Sequence, residues 1–334
     1  MDRVEKQTTI TFEPIEHKYT DDSGLVYTSV TTLIDKYKPK FNSKYWSMYV
    51  ALRDNGFKVR PDGGKCKDIV VDGNFRSLES LYKNPINNNE VSLVVNKWKK
   101  LTEDACARGN EIHDFLEDGI NKSKNDKEGL TNKLISPSLG AGLLVIRTKH
   151  DLDATDIGVN YPVIYDRLLV FINKGCTIFA EKRIYSTAYQ VAGMIDVLIV
   201  KGRQFCILDW KTNKDEMIFE SGYFKKKQIG GVYVKTSEFV RKLEYMHSPL
   251  NNVELCKGMT YSLQLSLYAY IMIRWGYKLV ENGLEIWHIR PGLAPKCIKI
   301  RYMEQDVINM LEHHYNNISN NKKPNPLGLG IKPH

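Results

Sequence analysis

The sequence predicts an α/β protein: a central mixed β-sheet with an antiparallel hairpin, flanked by helices, with a helical N-terminal region and insertions. Three observations predict it. CTIFAEKRIY, VAGMIDVLIV and QFCILDW are short, apolar and rich in β-branched or aromatic residues, and the last two face each other across Gly202-Arg203. YPVIYDRLLVFINKG, closed by Gly175, and YSLQLSLYAYIMIRW are long apolar runs that read as helices on either side of this block. LEIWHIR reads as a further strand. At 334 residues and 42% hydrophobic content the chain can bury a substantial core. No internal repeat or Pro/Ser linker divides it, so one domain over 1–320 is expected, with NKKPNPLGLGIKPH (321–334) as a flexible tail.

From the start, TITFEPIEHKYTDDSGLVYTSV reads as two strands around the turn Asp21-Asp22-Ser23-Gly24, with Ser29 or Thr31 capping a helix through Leu33 and Ile34. The stretch 30–118 reads as helical. Within it, Lys36 to Lys67 holds nine Lys/Arg against Asp54 and Asp62, interleaved with Tyr37, Phe41, Tyr45, Trp46, Tyr49 and Phe57. Base stacking with phosphate neutralisation uses such a mixture, which makes Lys44, Tyr45 and Trp46 candidate DNA contacts in an arch. A helix with an aromatic core face and a solvated lysine face accounts for the same residues. A second helix covers Val91 to Asp118, and the polar NKSKNDKEGLTNK after it reads as a loop. A core of 175–290 carries a basic insertion, 215–258, that includes FKKKQIGGVYVK.

A formal charge of +9 and a pI near 9.0 favour a polyanionic partner, nucleic acid ahead of an anionic membrane surface. No stretch approaches a membrane span, and MDRVEKQTT lacks the apolar core of a signal peptide, so an intracellular, cytoplasmic address is expected. The six cysteines are scattered singly, which reads as reduced thiols, with Cys206 in a core strand.

The hairpin poses a chemical problem. A register that sets Val200 opposite Phe205 and Val197 opposite Leu208 also sets Asp196 opposite Asp209, and directly opposed like charges are destabilising. Lys211 shares the face of Asp209, while Trp210 points away. A divalent cation between the carboxylates resolves the repulsion; oxygen ligands of this kind, with the Trp210 backbone carbonyl as a further one, suit Mg2+ or Mn2+. Lys211 would then stand beside the metal, able to orient or deprotonate a water. A salt bridge from Lys211 to Asp209, with Asp196 bonded to nearby backbone, is the structural alternative.

The G-x-I-D of Gly193 to Asp196 followed by I-L-D-W-K closely resembles the PD-(D/E)XK nuclease superfamily, in particular its RecB-like exonuclease branch. Gly109 to His113, ahead of Phe115-Leu116-Glu117, is similar to the helical G-x-x-x-H element whose histidine helps to hold metal. Glu181 matches the acidic residue that precedes G-x-x-D, and Gln264 to Tyr268 match the Q-x-x-x-Y element after the core. Together they span about half of the chain. HKYTDDSGLVYTSVTTLID and SPLNNVELCKGMTYSLQLSLYAY are similar to phage-encoded relatives of the mitochondrial genome-maintenance exonuclease.

The resemblance implies a restriction-endonuclease-like core and a metal-dependent DNA exonuclease acting on ends, with a preference for single strands, in phage or cellular replication, recombination or repair. It implies His113, Asp196 and Asp209 as metal ligands, and Lys211, Glu181, Gln264 and Tyr268 as catalytic company. The iron–sulfur cysteines of other branches are missing, so no cluster is expected. Arg108, Lys214, Lys225, Lys226 and Lys227 are candidate phosphate contacts, and ordinary solvated charges account for them equally well. Replication or recombination proteins are the macromolecular partners it suggests besides DNA. A structure-specific flap or branch endonuclease and a non-catalytic nucleic-acid-binding subunit are the rival readings; joint presence of Asp196, Asp209 and Lys211 argues against the latter.

Overall fold

A computed structural model describes residues 4–13, 16–61, 68–71, 74–77, 81, 88–121, 145–155, 157–230 and 232–321, with the backbone alone at 60–61, 68–70, 74–76, 88, 113–115, 117–121, 145, 228, 232–233 and 321. The chain divides into two compact units, Pro39–Glu111 and the combination of Met1–Lys38 with Ile112–His334.

Three short strands, β1 (Ile10–Glu13), β2 (Lys18–Asp21) and β3 (Val26–Ser29), lead into helix α1 (Val30–Asp35). Ser29 caps this helix, its hydroxyl accepting from the Thr32 N–H at 3.1 Å. The smaller unit then holds α2 (Ser43–Asp54), an antiparallel meander of β4 (Val59–Pro61), β5 (Asp68–Val71) and β6 (Asn74–Ser77), and the part of helix α3 (Asn88–Asn121) up to Glu111. The stretch read as helical thus also contains strands. Each is only three or four residues long, too short to display an alternating pattern. The core of this unit is Tyr45, Met48, Ala51, Leu52, Val71 and Val91.

The larger unit continues with β7 (Val145–Ile146), two short helices α4 (Lys149–Asp153) and α5 (Ile157–Asn160), helix α6 (Pro162–Asn173), and the long strands β8 (Thr177–Ser186), β9 (Val191–Lys201) and β10 (Gln204–Lys211). Helix α6 ends as its sequence requires, with the Gly175 N–H on the Ile172 carbonyl and the Cys176 N–H on the Phe171 carbonyl. A separate hairpin, β11 (Gly222–Ile229) and β12 (Val232–Arg241), precedes helix α7 (Lys257–Arg274), strands β13 (Lys278–His288) and β14 (Lys296–Lys299), and helix α8 (Glu304–Asn321). The polar run from Lys122 and the tail from Lys322 lie outside the described residues.

The architecture is α/β with a mixed central sheet of nine strands among the described residues, in the order β1-β2-β3-β9-β10-β13-β14, with β8 pairing β9 and β7 pairing β8. The β3–β9 and β10–β13 pairs are parallel and the others antiparallel. Apolar layers cover both faces. On one, Val30, Leu33 and Ile34 of α1, Leu263 and Leu267 of α7, and Val307 and Leu311 of α8 pack on Leu198, Val200, Phe205 and Ile207. On the other, Ile164, Leu168 and Phe171 of α6 pack on Ile178, Val197, Ile199, Leu208 and Trp210. Burial on both faces explains why β9 and β10 read as nearly continuous apolar runs rather than as alternating ones. Cys206 is a core residue of β10, 7% exposed. Among the described residues no helix is long and apolar enough to cross a membrane.

Candidate active site

The β9–β10 hairpin turns at Gly202, whose φ of 58° suits the first position of a two-residue hairpin turn. From there Lys201 pairs with Gln204, Val200 with Phe205, Cys206 with Ile199, Ile207 with Leu198 and Leu208 with Val197, without a bulge. The paired ladder stops there, one step before Asp196 and Asp209.

The reason lies in the edge that β10 shares with another strand. β8 runs along the whole of β9 on one side, from Thr177 opposite Val200 to Ser186 opposite Val191. On the other side β10 takes the half from Val197 onward, and β3 takes Val191 and Ala192. The sheet forks between them, and Asp196 stands in the fork. Val191 and Ile195 belong to the same apolar layer as Leu198 and Val200, so the alternation of faces along β9 shifts by one residue at Asp196. It shifts on β8 as well, since Phe179 and Ile184 share that layer. Glu181 is the residue between, opposite Asp196, and it adopts a left-handed φ of 44°. A non-glycine residue there costs roughly 1–3 kcal/mol, which the surrounding structure must support. Glu181, Asp196 and Asp209 therefore stand at one level on three adjacent strands.

Asp209 is 1% exposed and forms an ion pair with Lys211. Asp196 accepts the Trp210 N–H at 2.9 Å. Both bonds are those of the structural alternative, so each carboxylate has a protein contact within the fork. Burial alone would lower the pKa of Lys211, but the Asp209 and Asp196 carboxylates outweigh it and hold the ammonium above its usual value. Trp210 points into the opposite layer. The Lys211 ammonium also lies 4.7 Å from the centre of the Tyr261 ring, a cation–π contact. Tyr261 donates to Asn213 Oδ1 at 3.0 Å, and the Asn213 carbonyl lies 2.8 Å from His288 Nε2. A carbonyl only accepts, so His288, 2% exposed, carries a proton on Nε2.

Helix α7 closes the fork from the α1 side. Gln264 Nε2 donates to the Tyr268 hydroxyl at 3.0 Å. Tyr268 is 3% exposed; burial, with Asp209, Tyr19 and Asp196 nearby, pushes its phenol well above the usual range although the Gln264 bond opposes this. The ring crosses Gly193 so closely that a Cβ there would lie 2.7 Å from Tyr268 Cε1. This is the physical role of the glycine in G-x-I-D. Beside Glu181, Tyr19 is raised to about 12, by burial first and by the Glu181 carboxylate second. Arg183 donates to the Ile10 carbonyl at 3.0 Å. Lys182, 3% exposed, is lowered to about 7 by burial and by Arg183.

The structure thus brings together Asp196, Asp209, Lys211, Gln264 and Tyr268, with Glu181 on β8 at the register position opposite Asp196. His113 lies on α3, and its side chain is outside the described residues. Lys214 follows β10 and is exposed, and Lys225, Lys226 and Lys227 are exposed on β11. Lys44, Tyr45, Trp46 and Arg108 belong to the smaller unit. There Tyr45 is 1% exposed and packs edge-on against Trp46, so its ring serves the core; Lys44 is exposed, and Trp46 and Arg108 are partly buried. Tyr261, Asn213 and His288 carry no motif. Tyr261 was legible as the residue one turn before Gln264 on the face that also holds Tyr268. Among the described residues no group of three or more His, Cys, Asp and Glu is close enough to hold a metal ion. No family model, curated protein or solved structure matches the chain.

Proposed function

We propose that the chain is a metal-dependent deoxyribonuclease of the PD-(D/E)XK superfamily, RecB-like branch, that hydrolyses phosphodiester bonds from DNA ends and prefers single strands. The observation that carries this reading is the acidic row Glu181, Asp196 and Asp209, placed with Lys211 in a fork of the sheet. A fold has no need to gather these charges at the one place where its ladder opens. The antiparallel β9–β10 pair and the parallel β13 beside it are compatible with a restriction-endonuclease-like core.

The donor chemistry suits a hard cation, Mg2+ or Mn2+: two carboxylates and the Trp210 carbonyl, all oxygens, with His113 as the remaining candidate. When bound, such an ion offsets the repulsion between the acids and stabilises charge developing on a phosphate. The rest falls to the chain. Lys211, which pairs with Asp209, would orient a water or meet the scissile phosphate. Tyr261 holds the Lys211 ammonium beside the fork, and Tyr268, braced by Gln264, limits water beside Asp209. Lys214, Lys226 and Lys227 follow Lys211 in the chain and would meet the backbone of a strand reaching it.

A non-catalytic nucleic-acid-binding protein is the second reading, favoured by one observation: the ion pair from Lys211 to Asp209 and the bond from Trp210 to Asp196 give both acids protein contacts without a metal. Incubation of linear and circular single-stranded DNA with Mg2+ or Mn2+ separates the readings. An exonuclease degrades the linear form alone, an endonuclease nicks both, and a binding protein alters neither. Asp209→Ala and Lys211→Ala should each abolish degradation while retaining DNA binding.

A further inference from the structure

The hairpin β11–β12 is a two-stranded sheet separate from the central one. Its stretch Gly222 to Lys242 contains six Lys/Arg against Glu238 alone. Hairpins of two strands are marginal in water unless something packs on them, yet here Ile229 is 58% exposed and Val234 46%. The chain that forms it leaves directly from Lys211 and returns as the helix bearing Gln264 and Tyr268.

The ion pairs sort the six cations. Lys225 is paired with Glu238, Lys235 with Asp215 at 3.1 Å, Arg241 with Glu254, and Lys242 with Glu244 at 3.3 Å. Lys226 and Lys227 are exposed and have no ion pair among the described residues. Lys226 stands directly opposite Lys235, whose charge Asp215 already answers, so on that face Lys226 is the cation left for an external anion. On the other face, Lys227 is opposite Val234, and Ile229, two residues on, points the same way beside the turn. That face therefore offers a cation followed by an apolar tip.

We propose that this hairpin is a nucleic-acid grip whose β11 edge lies along a DNA strand, so that Lys226 on one face and Lys227 on the other each meet a phosphate and Ile229 packs against a base or sugar beside Lys227. A basic surface with an apolar tip fits a polyanion whose bases have apolar faces; a protein strand added to the hairpin edge would have no use for the uncompensated charge. The inference rests on the nuclease reading for its substrate class and assigns which of the three consecutive lysines act.

The test is fluorescence anisotropy of the intact protein with a labelled single-stranded oligonucleotide of roughly 20 residues, in EDTA, across a salt series. Each phosphate contact on a single strand contributes a slope of about 0.7 in log affinity against log salt. The double variant Lys226→Ala/Lys227→Ala should therefore lose about 1.4 from the slope and roughly 10- to 30-fold in affinity near 0.1 M salt. Lys225→Ala should leave the slope unaltered, because Glu238 already holds that lysine. Ile229→Ser should weaken binding several-fold at unchanged slope. An unaltered slope in the double variant, an equal loss in Lys225→Ala, or no binding by the wild type would overturn the grip. Slope loss without metal-dependent cleavage by the wild type would keep the grip and remove the nuclease reading; cleavage with an unaltered slope would do the reverse.

Discussion

Lys211 is the residue on which the proposed chemistry turns, because its ammonium neutralises an Asp209 that is 1% exposed. Removing one member of a buried pair leaves the other charge uncompensated and typically costs about 3–5 kcal/mol. Lys211→Ala should therefore destabilise the metal-free protein by roughly 3 kcal/mol in urea denaturation. If a cation can replace the lysine, millimolar Mn2+ should restore more stability to that variant than it adds to the wild type; an equal shift in both would count against a metal at Asp209. Gly193 makes a second residue-scale prediction. A methyl group there meets Tyr268 at 2.7 Å and Val30 at 3.1 Å, so Gly193→Ala should cost roughly 1–3 kcal/mol and lower activity by displacing Tyr268. Unchanged stability and rate would mean that the contact is loose. The register that leads up to the acids, as far as Leu208 opposite Val197, was legible in the sequence, because alternation and register follow from a two-residue turn; the opening of the ladder before Asp196 and Asp209 was not. Their local answers, the Trp210 N–H on Asp196 and Tyr261 under Lys211, were not, since they depend on where the ladder opens and how a distant helix packs.

At the scale of elements, β3 and β10 sharing one edge of β9 is what creates the fork. That crossover joins residues more than 160 positions apart in the chain, as in Thr28 opposite Val191, and no local pattern announces it. The main strands and helices were readable because each carries a long apolar run, whereas β4 to β6 were not. Helix α8 shows the signal of a packed face in Val307, Met310, Leu311 and His314, at spacings of three, four and seven. His314 is 3% exposed, and burial, then Lys36 and His313, lowers it to about 4. The folded state thus binds fewer protons than the unfolded chain between about pH 6.5 and 4. Stability from this group is present above pH 6.5 and is lost as the pH falls through that window. His314→Leu should flatten the acid limb of a denaturation series over that range; an unchanged limb would place the titration elsewhere.

At the scale of the whole molecule, the acidic row and the hairpin lie in the larger unit, and Lys44, Trp46 and Arg108 in the smaller. The net charge of +9 was legible as a preference for polyanions, but only the ion-pair pattern separates engaged from available cations. Tyr45 shows the reverse limit of composition: an aromatic in a basic run that serves a core. The central claim is that the acids of the fork, with a divalent ion, cut DNA. It is tested most directly by incubating 5′- and 3′-labelled single- and double-stranded oligonucleotides with wild type and Asp209→Asn, in Mg2+, Mn2+ or EDTA. Progressive shortening by the wild type, abolished by EDTA and reduced at least 100-fold in Asp209→Asn, as expected for loss of a metal-ion or acid–base group, is the predicted result. Intact oligonucleotides in every metal, or equal cleavage by Asp209→Asn, would contradict it.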